Sequence, residues 1–582
     1  MCGFFFYIQK KNINSSLIKK LKKTTDLIKH RGPDSKQYFI KNNIFAGFYR
    51  LSVQDLNIRS NQPFFSPDKR YMLLFNGMIY NFKEIKLRIK NKFKFQTSSD
   101  TEVLLALYIL FGKKIFDDLK GMYSFLIYDF LKDKIIFSRD PYGQKPLYYF
   151  QGMNQLIVSS EIKPIQKLLN LSINNHQLKE YFLTNNYGDK NDTLFKGIKI
   201  IRGGEYALFK KFNTQSNNHI LIKKFFSKKN LMYKKFPGSI SELNKIIPNI
   251  ITNHVTSDAD VGVALSSGID SRSICVILKK LNNLNKIKKA YFIDFKNFHL
   301  EKKDVIEFCN KLNIELKIIN INPRDIKLMF EKSLLSNELP LLGIMHIALF
   351  KMFKQVKKDG LKVMLGGYGL DEALGGYDSL NPKLFLKNLI KNKNTLIDGT
   401  LLNNDMLIKD SGKKKSLQIS HLKVTDAAIH KKQLELIFNN KLPRTFHMID
   451  RASMSNSIEF RSPYMYPDFI KTSLSLNKKD YFEGTLGKMP IRNYLKSKYP
   501  HENWWFQIKK SVQTPQTKWL LTEELKPWIN RIIYSESLYS KNNYLHKKKI
   551  QMYWSDFKSG KIKLGLPIWQ LINIYYLTKN FK

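Results

Sequence analysis

Cysteine is scarce in this sequence, and this limits what the chain can be. Among 582 residues only Cys2, Cys275 and Cys309 carry a thiol, without the paired spacing of a metal site or the density of a disulfide scaffold. Met1-Cys2-Gly3 runs straight into an apolar stretch, without the basic segment and cleavage site of a secretory signal. We therefore expect a cytoplasmic protein in a reducing compartment, whose cysteines must be judged one by one.

Long apolar runs are also missing. The longest run, Leu339 to Phe350, is interrupted by His346 and is well short of the ~20 residues that cross a bilayer. This pattern predicts that no segment spans a membrane.

Negative charge is scarce as well, with 48 Asp and Glu against 98 Lys and Arg and a net charge of +50. Such an excess would suit a polyanion-binding protein without catalytic activity. The lysines are nevertheless spread along the whole chain, and no arginine-rich tail, zinc-ligand spacing or aromatic RNA-binding signature accompanies them. A solvated lysine-rich surface with no nucleic-acid partner is the favoured interpretation, and polyanion binding remains the alternative.

The order of apolar patterns predicts two domains, in keeping with a chain too long for one core. Over residues 2–212, short β-like runs such as Phe4 to Ile8 and Tyr123 to Tyr128 dominate, with helical patterns between them. They predict an α+β domain in which antiparallel sheets lie between helices. Residues 213–238 are polar and lysine-rich, and look like a linker.

The pattern over residues 239–582 is different. Strand-like and helical runs alternate from Val261 to Ile319, and the later part is mostly helical. This alternation predicts an α/β domain with a parallel sheet and crossover helices, followed by a helical C-terminal extension.

Cys2 is a candidate nucleophile because of its position. Removal of Met1 would leave a free α-amine on the residue that carries the thiol, and an amine with a pKa near ~8 can accept the thiol proton. Taken alone, a cysteine at position two is better explained as incidental. A catalytic Cys2 is favoured by four motifs at fitting separations. They are His30-Arg31-Gly32-Pro33-Asp34, Arg50-Leu51-Ser52-Val53, Asn76-Gly77-Met78-Ile79-Tyr80-Asn81 and Ser98-Ser99-Asp100.

These motifs resemble the glutaminase domain of the class II glutamine amidotransferases, an αββα sandwich of the N-terminal nucleophile type. The resemblance covers residues 2–165 and implies that Cys2 attacks the glutamine amide while the Asn76 side chain and the Gly77 N–H stabilise the oxyanion. It also implies that Arg50 holds the glutamine carboxylate and Asp100 its ammonium group. The implied glutamine-binding set is Arg50, Leu51, Ser52, Val53, Asn76, Gly77, Met78 and Asp100.

Met78 departs from this family pattern, because a glutamate commonly follows the Asn-Gly pair and helps to bind the glutamine amine. Asp100 could still serve alone. We therefore predict that the glutaminase activity is retained but weakened.

A second group of motifs suits an anion. The run Leu265-Ser266-Ser267-Gly268-Ile269-Asp270-Ser271 stands where a buried strand turns into a helix, so that backbone N–H groups point at one small volume. Alone it is weak evidence, because a polar turn with a serine cap often produces it. Further on, another strand ends in Gly366-Gly367-Tyr368-Gly369-Leu370-Asp371-Glu372, which makes the pair of motifs specific.

Together the two runs resemble the ATP pyrophosphatase site of the asparagine synthetases. The resemblance implies that Asp270 and Asp371 hold Mg²⁺, an ion that prefers carboxylate oxygens. Lys488 matches the family's catalytic lysine, with an ordinary surface lysine as the alternative. The implied ATP-binding set is Leu265, Ser266, Ser267, Gly268, Asp270, Ser271, Ile293, Gly366 and Gly367.

Tyr368 stands where asparagine synthetases have a glutamate. Relatives that cyclise amino-acid derivatives into β-lactams have a tyrosine there but have lost the N-terminal cysteine. Tyr368 is therefore either catalytic or packed beside the nucleotide.

The expected reaction is a glutamine- and ATP-dependent amidation of a carboxylate through an acyl-adenylate. In its simplest form, aspartate becomes asparagine and the other products are AMP, pyrophosphate and glutamate. Amidation of another acid, such as a sugar uronic acid, and cyclisation through Tyr368 stay open. So does a homodimer.

Overall fold

The computed structural model describes residues 2–185, 191–210, 220–226, 238–295, 301–383, 407, 425–439, 441–498, 505 and 514–581. The described part folds into two six-stranded antiparallel sheets, one five-stranded parallel sheet and the helices that cover them. None of the helices in these ranges combines the length and the apolar character needed to cross a membrane.

The strands lie as follows along the chain. They are β1 (Gly3–Gln9), β2 (Ser35–Lys41), β3 (Ile44–Arg50), β4 (Phe64–Phe65), β5 (Tyr71–Ile79), β6 (Gly121–Asp129), β7 (Lys134–Arg139), β8 (Tyr148–Gln151), β9 (Gln155–Ser159), β10 (Lys199–Ile200), β11 (Glu205–Lys210), β12 (Leu221–Lys224), β13 (Val261–Ala264), β14 (Ile287–Phe295), β15 (Leu316–Ile321), β16 (Val363–Leu365) and β17 (Glu459–Arg461).

The α-helices are also given by their bounds. They are α1 (Ser15–Thr25), α2 (Phe82–Ile89), α3 (Asp100–Phe111), α4 (Ile162–Leu169), α5 (Asn175–Thr184), α6 (Ile240–Val255), α7 (Ile269–Lys280), α8 (Lys302–Leu312), α9 (Pro323–Asn337), α10 (Ile344–Lys358), α11 (Leu370–Leu374), α12 (Asp426–Phe438), α13 (Lys441–Met454), α14 (Pro467–Ser475), α15 (Met489–Lys498), α16 (Gln516–Trp519), α17 (Lys526–Ile533), α18 (Glu536–Ser540), α19 (Lys547–Lys558) and α20 (Leu566–Asn580).

Two antiparallel sheets face each other in the first part of the chain, in the orders β10-β8-β9-β1-β3-β2 and β12-β11-β7-β6-β5-β4. Side chains alternate between the two faces of strand β1, and both faces are buried because each is covered by another layer. Phe4 and Phe6 pack with Leu74 of the second sheet, whereas Phe5 packs with Ile162 of α4. Helices α2 and α3 cover the outer face of the second sheet. This is the predicted sandwich of antiparallel sheets between helices.

The parallel sheet has the order β15-β14-β13-β16-β17. Along the chain, β14 and β15 follow on one side of β13, and β16 and β17 then follow on its other side. Val263 packs with Ile274 of α7, while Met364 packs with Ile347 of α10, so both faces are covered by helices. The predicted α/β domain with a helical extension is confirmed.

In the predicted linker, residues 213–238, the described part (220–226 and 238) contains one short strand. Strand β12 pairs antiparallel with β11 and forms an edge of the second sheet. The parts 213–219 and 227–237 lie outside the described residues. The second sheet therefore extends beyond the predicted boundary at residue 212, because four apolar and basic residues complete a ladder with β11.

Candidate active sites

Cys2 lies directly before β1 and is 8% exposed. Its backbone nitrogen donates to Asn76 Oδ1 at 3.2 Å, and its carbonyl oxygen accepts a hydrogen bond from Arg31 Nε at 3.1 Å. Asn76 Nδ2 is 3.4 Å from Ser124 Oγ. Burial raises the pKa of the Cys2 thiol, so the thiolate would have to be generated by a nearby base.

A small cavity opens beside Cys2. Among the predicted glutamine-binding residues, Arg50, Leu51, Val53, Gly77, Met78 and Asp100 line it. Ser52 and Asn76 are not among the lining residues. The Ser52 N–H donates to Asp34 Oδ2 at 2.7 Å, and Asn76 contacts Cys2 through the hydrogen bond from the Cys2 backbone nitrogen. Gln54, Ser60, Gln62, Phe75, Ser99 and Thr101 complete the lining. Sequence motifs pointed to Ser99, which precedes Asp100, but nothing marked Gln62 or Thr101.

The two charged residues of this cavity are held by their own elements. Arg50 ends β3, and its Nη1 donates to the Asn57 carbonyl at 2.7 Å and to Asn61 Oδ1 at 2.8 Å. Asp100 begins α3 and accepts a hydrogen bond from the Ile79 N–H at 3.0 Å. Burial raises the pKa of Asp100 to about 6. A cationic group bound beside Asp100 would favour its ionised form.

Met78 places an apolar side chain in the same cavity. It is 1% exposed and belongs to the hydrophobic core beneath α3. The position at which the family resemblance led us to expect a carboxylate is therefore filled by an apolar side chain, which leaves Asp100 as the acidic residue of the cavity lining.

A larger cavity of about 320 Å³ lies at the carboxyl ends of β13 and β16. The chain order of the parallel sheet reverses between these two strands, and open α/β sheets bind ligands at such a point. All predicted ATP-binding residues line the cavity, namely Leu265, Ser266, Ser267, Gly268, Asp270, Ser271, Ile293, Gly366 and Gly367. Tyr368, Asp371 and Lys488 line it too.

The loop after β13 is held together by its own hydrogen bonds. Ser266 N–H donates to Ser271 Oγ at 3.0 Å, and Gly268 N–H donates to Ser266 Oγ at 3.2 Å, where α7 begins. Gly367 of the second motif packs directly against this loop. A Cβ at Gly367 would lie 2.6 Å from the carbonyl carbon of Asp270, so only glycine allows the two loops this close approach.

Lys488 joins the two motifs. Its ammonium contacts the carboxylates of both Asp270 and Asp371, with 2.6 Å between Nζ and Asp371 Oδ1. The side chain is 4% exposed, so Lys488 is not an ordinary surface lysine. Burial opposes its charge, but Asp270 and Asp371 outweigh that effect and raise the pKa of Lys488. Two carboxylates that converge on one cation are also a donor set suited to Mg²⁺.

Tyr368 packs in the wall of this cavity. Its ring meets the Phe460 ring nearly edge to face, with centroids 5.7 Å apart. Burial raises the pKa of Tyr368 to about 12, so the phenol is neutral near pH 7. The packing role that the sequence left open agrees with this contact, and a catalytic role stays a prediction.

Several cavity residues had no role assigned to them from the sequence. Glu372, Tyr377, Lys441, Thr445 and Arg492 also line the cavity. The Tyr377 hydroxyl donates to Glu372 Oε1 at 2.6 Å, and burial together with Asp371 raises the pKa of Glu372. Glu372 lies in the second motif, and Tyr377 ends the Ala373-Leu374-Gly375-Gly376-Tyr377 run that continues it, so the motif itself marked both positions. Lys441 and Thr445 lie on α13, which only the tertiary fold brings here.

A buried ionic cluster connects the two halves of the chain behind Cys2. Arg31 pairs with Glu161 at 3.0 Å and with both oxygens of Asp450 at 2.8 and 3.1 Å. Arg451 pairs with Glu161 at 2.8 Å and with Glu338 at 2.9 Å. Because Arg31 also contacts the Cys2 carbonyl, the backbone of Cys2 is tied to α13 of the second half.

Comparison with known proteins agrees with this arrangement. A glutamine amidotransferase domain model matches residues 1–220, and an asparagine synthase model matches residues 242–579. The fold and sites thus define a two-domain glutamine amidotransferase that acts as a ligase. More specifically, the chain belongs to the asparagine synthase family.

Three relatives illustrate the similarity. A Bacillus subtilis protein named asparagine synthetase [glutamine-hydrolyzing] 1 is 27% identical over 98% of this chain and 95% of its own length. Escherichia coli asparagine synthetase B [glutamine-hydrolyzing] is 27% identical over 65% of each chain. A Gibberella zeae protein named amidase chry2 is 26% identical over 62% of this chain and 56% of its own.

Proposed function

We propose that this protein frees ammonia from glutamine at Cys2 and uses it to amidate aspartate, which ATP has activated as an acyl-adenylate. The observation that carries the proposal is the cavity at the carboxyl ends of β13 and β16, where Asp270, Asp371 and Lys488 meet beside a backbone N–H loop. The same chain buries Cys2 in a second cavity. The names of the bacterial relatives support aspartate as the acceptor.

Glutamine hydrolysis would use the environment of Cys2. Loss of Met1 would make the nitrogen beside Asn76 an α-amine, able to take the proton of the buried thiol. The thiolate would attack the glutamine amide carbon, and the Gly77 N–H and the Asn76 side chain would stabilise the oxyanion. Release of ammonia leaves an acyl-enzyme that water hydrolyses to glutamate. Arg50 and Asp100 would hold the amino-acid end of glutamine.

Activation of the acid would use the larger cavity. The loop from Ser266 to Ser271 and the beginning of α7 would bind the ATP phosphates through backbone N–H groups. Asp270 and Asp371 would hold Mg²⁺, which when bound neutralises phosphate charge. The aspartate side-chain carboxylate would attack the α-phosphorus and displace pyrophosphate, and ammonia would then attack the acyl carbon and displace AMP. Lys488 would stabilise negative charge in these steps.

The two reactions would occur in separate domains, a glutaminase domain over residues 2–212 with β12 added and a synthetase domain over 239–582. Ammonia would have to cross between them without meeting bulk water, since protonation would make it unreactive. The buried cluster of Arg31, Asp450 and Arg451 would hold the domains together for that purpose.

The decisive experiment measures pyrophosphate release from ATP by the full-length protein. Aspartate, glutamate and a uronic acid are tested, each with glutamine and separately with ammonium. We expect aspartate-dependent release with both nitrogen sources. Cys2→Ala should abolish only the glutamine-supported release, whereas Cys309→Ala, which removes a buried thiol elsewhere, should change neither. No aspartate-dependent release with either nitrogen source would refute the proposal.

Amidation of another acid is the second candidate. It is favoured by Tyr368, which lines the cavity where asparagine synthetases have a glutamate, and by the amidase name of the Gibberella relative. The same panel of acids separates the candidates. Pyrophosphate release with a different acid, and not with aspartate, would establish amidation of another acid. Pyrophosphate release with aspartate alone would rule it out.

A further inference from the structure

Lys488 occupies an unusual place for a lysine in a cavity proposed to bind a metal–nucleotide complex. Its ammonium lies between the two carboxylates that would hold the metal, in contact with Asp270 and 2.6 Å from Asp371 Oδ1. The cavity holds other cationic side chains, Lys441 and Arg492, and Lys441 Nζ stacks 4.0 Å from the centre of the Tyr377 ring. The ammonium of Lys488 is therefore a direct counter-ion of this acidic pair, and the Arg492 guanidinium adds positive charge near both carboxylates.

The backbone is shaped to keep Lys488 in this place. Lys488 has φ = +62°, a conformation that non-glycine residues rarely adopt, and its N–H donates to the Leu374 carbonyl at 3.1 Å. Gly376 makes room for the ion pair, since a Cβ there would lie 1.8 Å from Asp371 Oδ1 and 2.4 Å from Lys488 Cε. The ion pair is thus built into the fold by neighbouring loops.

An ammonium and a magnesium ion exclude each other from this position. Mg²⁺ binds carboxylate oxygens at about 2.0–2.1 Å, closer than the ammonium of Lys488, and would repel an ammonium beside it. Binding of Mg²⁺ to both Asp270 and Asp371 therefore requires Lys488 to leave them. The displaced ammonium would remain within reach of the phosphate end of the cavity.

We propose that Lys488 acts as an internal counter-ion that keeps Asp270 and Asp371 neutralised until nucleotide-bound Mg²⁺ displaces it toward the reacting phosphate. This inference rests on the proposed function, because it takes the ligand of the larger cavity to be a nucleotide with bound Mg²⁺. It makes Lys488 a determinant of metal binding, since the nucleotide-free protein resists free divalent ions.

Metal binding without turnover tests the proposal. Mn²⁺ alone, as a paramagnetic substitute for Mg²⁺, is titrated into the nucleotide-free full-length protein, and free Mn²⁺ is measured by electron paramagnetic resonance. We expect Lys488→Met to bind Mn²⁺ at least about tenfold more tightly than wild type, because the acidic pair loses its competing cation. Lys488→Arg, which keeps the charge, should bind Mn²⁺ as weakly as wild type.

Matched variants exclude a general charge effect and a folding defect. Lys441→Met removes the same charge from the same cavity and should shift Mn²⁺ affinity by less than about threefold. Adding Asp371→Asn to Lys488→Met should cancel the gain. Lys488→Gln, whose amide can still donate to one carboxylate, replaces Lys488→Met if that variant does not fold.

Two outcomes separate the inference from the proposed function. If Lys488→Met and Lys488→Gln bind Mn²⁺ no more tightly than Lys441→Met, the counter-ion role is refuted, whatever the enzyme amidates. If the gain in Mn²⁺ affinity is present but no acid supports pyrophosphate release, the counter-ion role stands and the proposed function falls.

Discussion

Replacing Arg31 by methionine removes the cation that joins Cys2 to the second half of the chain. Arg31 is fully buried and donates to Asp450 through two nitrogens, to Glu161 and to the Cys2 carbonyl. Methionine fills similar space but leaves the carboxylates of Asp450 and Glu161 with one cation fewer. Breaking a buried ion pair in this way costs about 3–5 kcal/mol.

The activity should fall unevenly. Without Arg31 the Cys2 backbone loses a fixed contact, and a displacement of about 1 Å at a reacting group can reduce the rate about 100-fold. We therefore expect glutamate release from glutamine to fall about 10- to 100-fold, while ammonium-supported pyrophosphate release stays within a few-fold of wild type.

Urea unfolding and the two activity assays measure these effects. The matched control is Arg70→Met, which breaks a two-nitrogen ion pair with Asp129 at 3.1 and 3.0 Å in a more exposed position. Arg70 is 29% exposed and Asp129 keeps two backbone N–H donors, so this control should unfold much closer to wild type than Arg31→Met does. Equal unfolding midpoints for the two variants, or an equal loss of both activities in Arg31→Met, would contradict the structural reasoning.

Three further predictions concern the two cavities. Burial raises the pKa of Asp100 to about 6, so this carboxyl becomes protonated below that pH and loses its attraction for the glutamine ammonium group. The KM for glutamine should therefore rise about tenfold for each pH unit below 6, and Asp100→Asn should lack this pH dependence. Met78→Glu places a second carboxylate beside Asp100 and should lower the KM for glutamine about tenfold through a charge-assisted bond to the glutamine amine. An unchanged or raised KM in glutamate-release assays would contradict this prediction. Gly367→Ala should abolish pyrophosphate release but leave glutamate release unchanged, because the added Cβ would collide with the Asp270 backbone. The control Gly152→Ala adds a Cβ with no contact under 3.2 Å and should be neutral in both assays.

Much of the fold was predictable from local patterns. The apolar run from Phe4 to Ile8 lies within β1, and the alternation that begins at Val261 lies on β13, α7 and β14. Such patterns work because a strand buried on both faces, or a helix with one buried face, leaves its period in the sequence. The loop from Leu265 to Ser271 was predictable too, because an anion site made of backbone N–H groups at the start of a helix is a local structure.

Contacts between distant residues were not predictable in this way. Sequence motifs marked Asp270, Asp371 and Lys488 separately, but only the tertiary structure brings the lysine ammonium between the two carboxylates. The same holds for Arg31 and Asp450, 419 residues apart, and for Lys441 in the wall of the larger cavity.

The sequence by itself therefore determined the two domain types, the local loops and the residues that carry the chemistry, because hydrophobic period and turn composition act over a few residues. Which charges neutralise one another, and how Cys2 is tied to the second domain, depended on the tertiary structure. Such pairs form where desolvation makes an unpaired charge costly, and burial depends on how the whole chain packs.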